Sequence, residues 1–81
     1  MRKLIAVGIG FGNSVRIEGI DAIINPDSAP VKRMIQDARD LNRLIDATQG
    51  RKTRAVIIMS SGAVVLSALQ ADTIAQRMNG E

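Results

Sequence analysis

Apolar and polar positions change rhythm along this chain, and each change marks a different element. The run Leu4-Ile5-Ala6-Val7, continued by Ile9, predicts a first strand over Lys3 to Ile9. It closes at Gly10-Phe11-Gly12-Asn13, a stretch rich in residues that tolerate positive φ. Ser14 to Ile17 and Ile20 to Ile24 predict two short strands joined at Glu18-Gly19. The three together suggest a meander, which Asn25-Pro26-Asp27-Ser28 interrupts. The period then becomes helical: Val31, Met34, Ile35, Ala38 and Leu41 place apolar side chains on one face. Asp27 or Ser28 can cap this helix, and Pro30 sits in the first turn, where a missing N–H costs nothing. Its end is expected near Asn42 or Arg43. Lys32, Arg33, Arg39 and Arg43 line the outer surface with Asp37 and Asp40, and Arg33 and Asp37 are one turn apart, close enough to pair.

The remainder reads as a strand over Leu44 to Thr48, a turn over Gly50 to Thr53, and a strand over Ala55 to Met59. A turn at Ser60-Ser61-Gly62 and a strand over Ala63 to Leu69 follow. A helix over Ala71 to Met78 closes the chain, ended by Asn79-Gly80. The expected fold is therefore α+β: a single domain over residues 1–81, with a small antiparallel-rich sheet, one long central helix and a short C-terminal helix. Ala55-Val56-Ile57-Ile58-Met59 and Ala63-Val64-Val65-Leu66 do not alternate with polar residues, so both faces of these strands are expected to be buried. The long helix can cover one face, but the short helix is a thin cover for the other. A partner subunit, and hence a homo-oligomer, is the expected solution.

Composition limits the chemistry. A domain of 81 residues buries only roughly 60% of the surface its unfolded chain exposes. The chain is 46% hydrophobic with a single aromatic, Phe11, so its core is aliphatic. Absence of Cys and His removes disulfides, structural zinc, Ser-His and Cys-His nucleophiles and imidazole acid-base work. An enzyme is disfavoured, and no cofactor or small-molecule substrate is expected. Gly8-Ile9-Gly10-Phe11-Gly12-Asn13 follows a strand as a phosphate loop does, but a strand pattern and no Gly-Lys-Ser/Thr comes next, so a tight turn is the better reading. Asp37, Asp40 and Asp46 read as surface charge beside arginines rather than as metal ligands. The basic Met1-Arg2-Lys3 start faintly resembles a signal peptide, but Gly8 and Gly10 cut the apolar run short; a cytoplasmic protein is expected. No apolar stretch approaches the ~20 residues needed to span a bilayer.

The formal net charge is +3, and its most concentrated part is Gly50-Arg51-Lys52-Thr53-Arg54. Between Ala47 and Ala71 there is no Asp or Glu, so these cations lack an acidic neighbour in sequence. Read as a hairpin tip between two strands, the turn would present Arg51, Lys52 and Arg54 rigidly. Arginine grips phosphate bidentately and lysine acts as a point charge. The lack of aromatics disfavours base stacking on single strands, which leaves duplex DNA contacted through phosphates.

Four blocks carry a likeness: Gly10-Phe11-Gly12-Asn13, the stretch from Ser28 to Asp40, Leu44-Ile45-Asp46-Ala47-Thr48, and Thr53-Arg54-Ala55-Val56-Ile57-Ile58-Met59. The chain resembles the RemA family of bacterial extracellular-matrix regulators over nearly its whole length. The resemblance implies a cytoplasmic, DNA-binding transcriptional regulator of biofilm-matrix genes, assembled as a ring-shaped homo-oligomer with a positive surface around which duplex DNA wraps. It places the family's functional arginine pair on Arg51 and Lys52, and Arg54 and Arg16 are expected to support them in contacting DNA. The family's usual arginine is replaced here by Gly19, with Arg16 a possible substitute. Gln49 stands where an aromatic is common, and Ser60-Ser61-Gly62 replaces a more acidic turn. The competing expectation is a structural assembly module whose basic turn meets an acidic protein or a membrane surface.

Overall fold

The computed structural model describes residues 5–80. Strand β1 (Ala6–Gly10) and β2 (Asn13–Arg16) form a two-stranded antiparallel hairpin. A 3-10 turn over Ile17–Gly19 leads to β3 (Ile20–Ile24), then come α1 (Ala29–Asp40), β4 (Leu44–Asp46), β5 (Ala55–Met59), β6 (Val64–Ser67) and α2 (Ala71–Met78). The last four strands to be paired make one sheet in the order β3-β5-β6-β4, antiparallel except for the parallel β4–β6 pair. This is the α+β domain that the pattern predicts. Part of the first expected strand, at Lys3 and Leu4, lies outside the described residues.

Local chemistry accounts for the helix ends. Ser28 is the cap of α1, its hydroxyl accepting from the Val31 N–H at 3.3 Å, with Pro30 in the first turn. The helix stops at Asp40, short of the expected Asn42 or Arg43, because Asn42 turns left-handed at φ 58. Among the described residues the bonds between side chains on its surface are Gln36 to Asp40 at 3.0 Å and Arg39 to Gln36 at 3.3 Å. The expected Arg33–Asp37 pair is not one of them.

The central sheet is buried on both sides, as its unbroken apolar strands require. Val56, Ile58, Val64, Leu66, Leu44 and Ile24 face α1 through Val31, Ile35 and Ala38. Ala55, Ile57, Met59, Val65 and Ile23 point the other way, against Val7, Ile9 and Val15 of the hairpin and Ile74 and Met78 of α2. The chain thus covers the second face itself. The N-terminal hairpin does the work that was expected of a partner subunit, because Val7 and Ile9, two residues apart on β1, both point inward.

The meander also fails, and for the same reason. The turn at Ile17–Gly19 sends the chain out of the hairpin and into the four-stranded sheet, where β3 pairs with β5 and not with β2. One side chain joins the two sheets. Ile9 lies in the irregularity of the β1–β2 ladder, between the paired Gly8 and Gly10. Its carbonyl accepts from the Ser67 hydroxyl at 2.8 Å, while that hydroxyl accepts from the Leu69 N–H at 3.0 Å. Ser67 is fully buried, so these bonds form where water cannot replace them. One residue earlier on β1, the Gly8 carbonyl accepts from Arg77 of α2 at 3.3 Å.

Ser67→Ala should lower stability by about 1–3 kcal/mol, the cost of leaving a buried carbonyl and N–H without their partner. Urea unfolding should show a reduced midpoint at unchanged slope, whereas Ser14→Ala, at an exposed strand position, should stay close to the parent.

Candidate nucleic-acid interface

The basic segment does not sit on a hairpin tip. β6 lies between β4 and β5, so the eight residues 47–54 cross the end of β6 instead of reversing between neighbours. The gap explains the length: two strand spacings of about 4.8 Å must be bridged, more than a two-residue turn can cover.

The crossover is tied down at both feet. The Ala47 N–H donates to the Leu66 carbonyl at 3.0 Å, and the Arg54 N–H donates to the Ser67 carbonyl at 2.8 Å. Asp46 fixes the entry, its carboxylate accepting from the Thr48 hydroxyl at 2.6 Å and the Thr48 N–H at 2.9 Å. Thr48 itself is buried. The chain then reverses locally, with the Arg51 N–H donating to the Thr48 carbonyl at 3.0 Å and positive φ at both central residues, Gln49 and Gly50. That is the pattern of a type I′ turn, which favours glycine at its second central position. Bonds on either side hold the loop, so its backbone has little entropy left to lose when the cations meet a partner.

Arg51, Lys52 and Arg54 are all exposed. The Arg51 guanidinium lies over the ring of Phe11, 5.6 Å from its centroid, within the range of a cation–π contact. Two clefts flank the loop. One, of about 340 Å³, is lined by Arg51, Lys52 and Arg54 together with Phe11 and Leu69. The other, of about 290 Å³, sets Lys52 and Arg54 opposite Asp27 and Asp72. Acids distant in sequence therefore share one side of the loop, a proximity that the acid-free stretch between Ala47 and Ala71 does not foreshadow. Among the described residues, the Phe11 side carries the cations without a carboxylate in its lining.

Arg16 is elsewhere. It pairs with Ala6 at the open end of the hairpin, whereas Phe11, beside Arg51, lies at the closed end. Gly19 is also remote, since its carbonyl accepts from the Ser60 N–H, just past the end of β5 opposite to the one where Arg54 enters. The fold thus brings Arg51, Lys52 and Arg54 together and leaves Arg16 out of that group. Phe11 was missed as part of the site. Its signal was present, as the sole aromatic, set between two glycines.

Gly19 does not have positive φ, and a Cβ there would meet only the Met59 methyl, at 3.0 Å. A side chain at this position therefore requires a flexible methionine end to move, not the backbone. Among the described residues, no helix is long and apolar enough to cross a membrane.

Comparison with known proteins places these residues in a family context. A family model for RemA-like proteins, described as extracellular matrix regulatory protein A-like, matches residues 6–78. The chain is 58% identical over 73 residues to a protein of Bacillus pumilus, covering 90% of this chain and 82% of that one. A Dictyoglomus thermophilum protein is 61% identical over 74 residues, covering 91% and 87%. For one from Halalkalibacterium halodurans the values are 57% over 75 residues, 93% and 86%. Each of the three is provisionally named a regulatory protein.

The entry to the loop should respond to acid. The Thr48 hydroxyl, then the Thr48 N–H, hold the Asp46 carboxyl below its ordinary value of 3.8. A carboxyl lowered by folding stabilises the protein above its unfolded value, and that contribution is lost as pH falls through the folded one. Acid titration of stability should therefore show a loss setting in near pH 3.8 and continuing below it. In Asp46→Asn, whose amide oxygen can still accept from Thr48, that part of the pH dependence should disappear.

Proposed function

The chain belongs to the RemA-like family, described as extracellular matrix regulatory protein A-like, and we propose that it regulates transcription by binding duplex DNA through phosphate contacts from the crossover at residues 47–54. The observation that carries this reading is the anchored presentation of Arg51, Lys52 and Arg54 on one loop, exposed and beside a cleft wall free of carboxylates among the described residues. Arg51 and Lys52 contact phosphates and Arg54 supports them. A small aliphatic protein with one aromatic has no stacking platform for single strands, while backbone contacts to a duplex need only placed cations. Extracellular-matrix genes are the proposed targets and the cytoplasm the proposed site of action, both following from the family.

A single loop makes too few contacts for firm binding, so assembly matters. We infer a homo-oligomer, closed as a ring, although no partner is needed to cover the sheet. The support is now different: Leu41 at the end of α1 is 63% exposed and Ile45 on the β4 edge is 53% exposed, close in sequence and uncovered by the chain itself. Met34, on α1 seven residues before Leu41, is also exposed, at 39%. A second copy would bury these side chains, and repetition would multiply the loop's contacts.

In an Arg51→Ala, Lys52→Ala double variant that keeps its assembly state, duplex affinity should fall and the slope of log affinity against log salt should flatten by roughly 0.9 for each phosphate contact removed. Arg16→Ala, at the far end of the hairpin, should have the smaller effect. Binding equal to the parent in the double variant would refute the assignment; retention of vesicles or acidic proteins with no duplex binding would favour an assembly module instead. Leu41→Glu should lower the sedimenting mass in analytical ultracentrifugation, and an unchanged mass would exclude this flank as the subunit contact.

A further inference from the structure

We propose that Phe11 is a positioning residue for Arg51, its ring holding the guanidinium in place for phosphate contact; this rests on the duplex-binding reading above.

The local backbone argues against Phe11 being there for the turn. Gly10 and Asn13 pair across the hairpin, leaving Phe11 and Gly12 as its two loop residues, both at positive φ, 55 and 78. Such a loop is a type I′ turn, for which Asn-Gly is the favoured sequence. A bulky aromatic at its first position is a conformational outlier. Strain of this kind persists when something else gains from it.

Nor is Phe11 there for the core. It is 49% exposed and outside both core clusters. What the ring does touch is the guanidinium of Arg51, 5.6 Å from its centroid. Ser67 makes that meeting possible, because its hydroxyl bonds β1 while its carbonyl receives the Arg54 N–H, so one residue fixes hairpin and crossover relative to each other. An arginine free to rotate must lose that freedom on contacting a phosphate, whereas one already resting on a ring has less to lose. The hairpin tip and the crossover then form one composite surface, although 40 residues separate Phe11 from Arg51 in sequence.

The test uses Phe11→Asn, Phe11→Tyr, Arg51→Ala and the Phe11→Asn, Arg51→Ala double variant, each in its assembled state. Binding to a labelled mixed-sequence DNA duplex is read beside thermal stability and the side-chain resonances of Arg51. In the parent, Arg51 protons should be shifted upfield by the ring, and Phe11→Asn should abolish the shift. Phe11→Asn should melt no lower than the parent, since it installs the favoured turn sequence, yet bind the duplex about two- to fivefold more weakly per engaged subunit. Phe11→Tyr should bind as the parent does. In the Arg51→Ala background Phe11→Asn should have no further effect on affinity.

Parental affinity in Phe11→Asn while Arg51→Ala is weakened would overturn the proposal, as would an equal loss from Phe11→Asn with and without Arg51. An unshifted Arg51 resonance would overturn the stacking itself. Parental affinity in Arg51→Ala would instead bring down the duplex-binding reading.

Discussion

The structure turns on the buried hydroxyl of Ser67. It donates to the Ile9 carbonyl and accepts from the Leu69 N–H, and the backbone carbonyl of the same residue takes the Arg54 N–H. Three pieces of chain that share no ladder with one another are thereby fixed around the end of β6: the N-terminal hairpin, the crossover and the entry to α2. In a domain with a purely aliphatic core, apolar packing sets which faces meet but few of the details of registration. A buried polar contact with all partners present adds that specificity, because any shift of the hairpin along the sheet would leave a carbonyl unsatisfied.

That constraint decides where charge ends up. The crossover is long because β6 is inserted between β4 and β5, and it is rigid because β6 holds both its feet. One side of it looks onto Asp27 and Asp72, the other onto the hairpin tip. Arg16 and Gly19 lie at the opposite end of the sheet. Within one subunit the two basic regions that the family resemblance suggests are thus separate, and a duplex that used both would have to run along the subunit or pass between neighbours. At position 19, where the resemblance leads one to expect an arginine, the glycine fits without positive φ, and a side chain there would have to move only the Met59 methyl.

Much of the fold was legible in the residues. The unbroken apolar runs at 55–59 and 63–66 announced burial on both faces, and the spacing from Val31 to Ala38 with Ser28 and Pro30 defined α1. Pairing was less legible, since nothing local in Leu44 to Asp46 says that it runs parallel to a strand twenty residues later. The same gap made the basic segment look like a hairpin tip. The cover of the second face was readable in principle, because Val7, Ile9, Val15 and Ile17 alternate as a half-buried hairpin does, yet their partner was visible only in three dimensions. The cations were found from charge alone. Phe11 and Ser67 were not, because their roles depend on contacts 40 and 58 residues away in sequence.

Hydrogen–deuterium exchange of the protein, with and without a mixed-sequence DNA duplex at low salt, most directly tests whether the crossover is the contact surface. Protection should appear in peptides covering Thr48 to Arg54 and the hairpin tip at Gly10 to Asn13, with α1 unchanged. Protection confined to α1 or to the Arg16–Gly19 end, with the crossover unaffected, would contradict it.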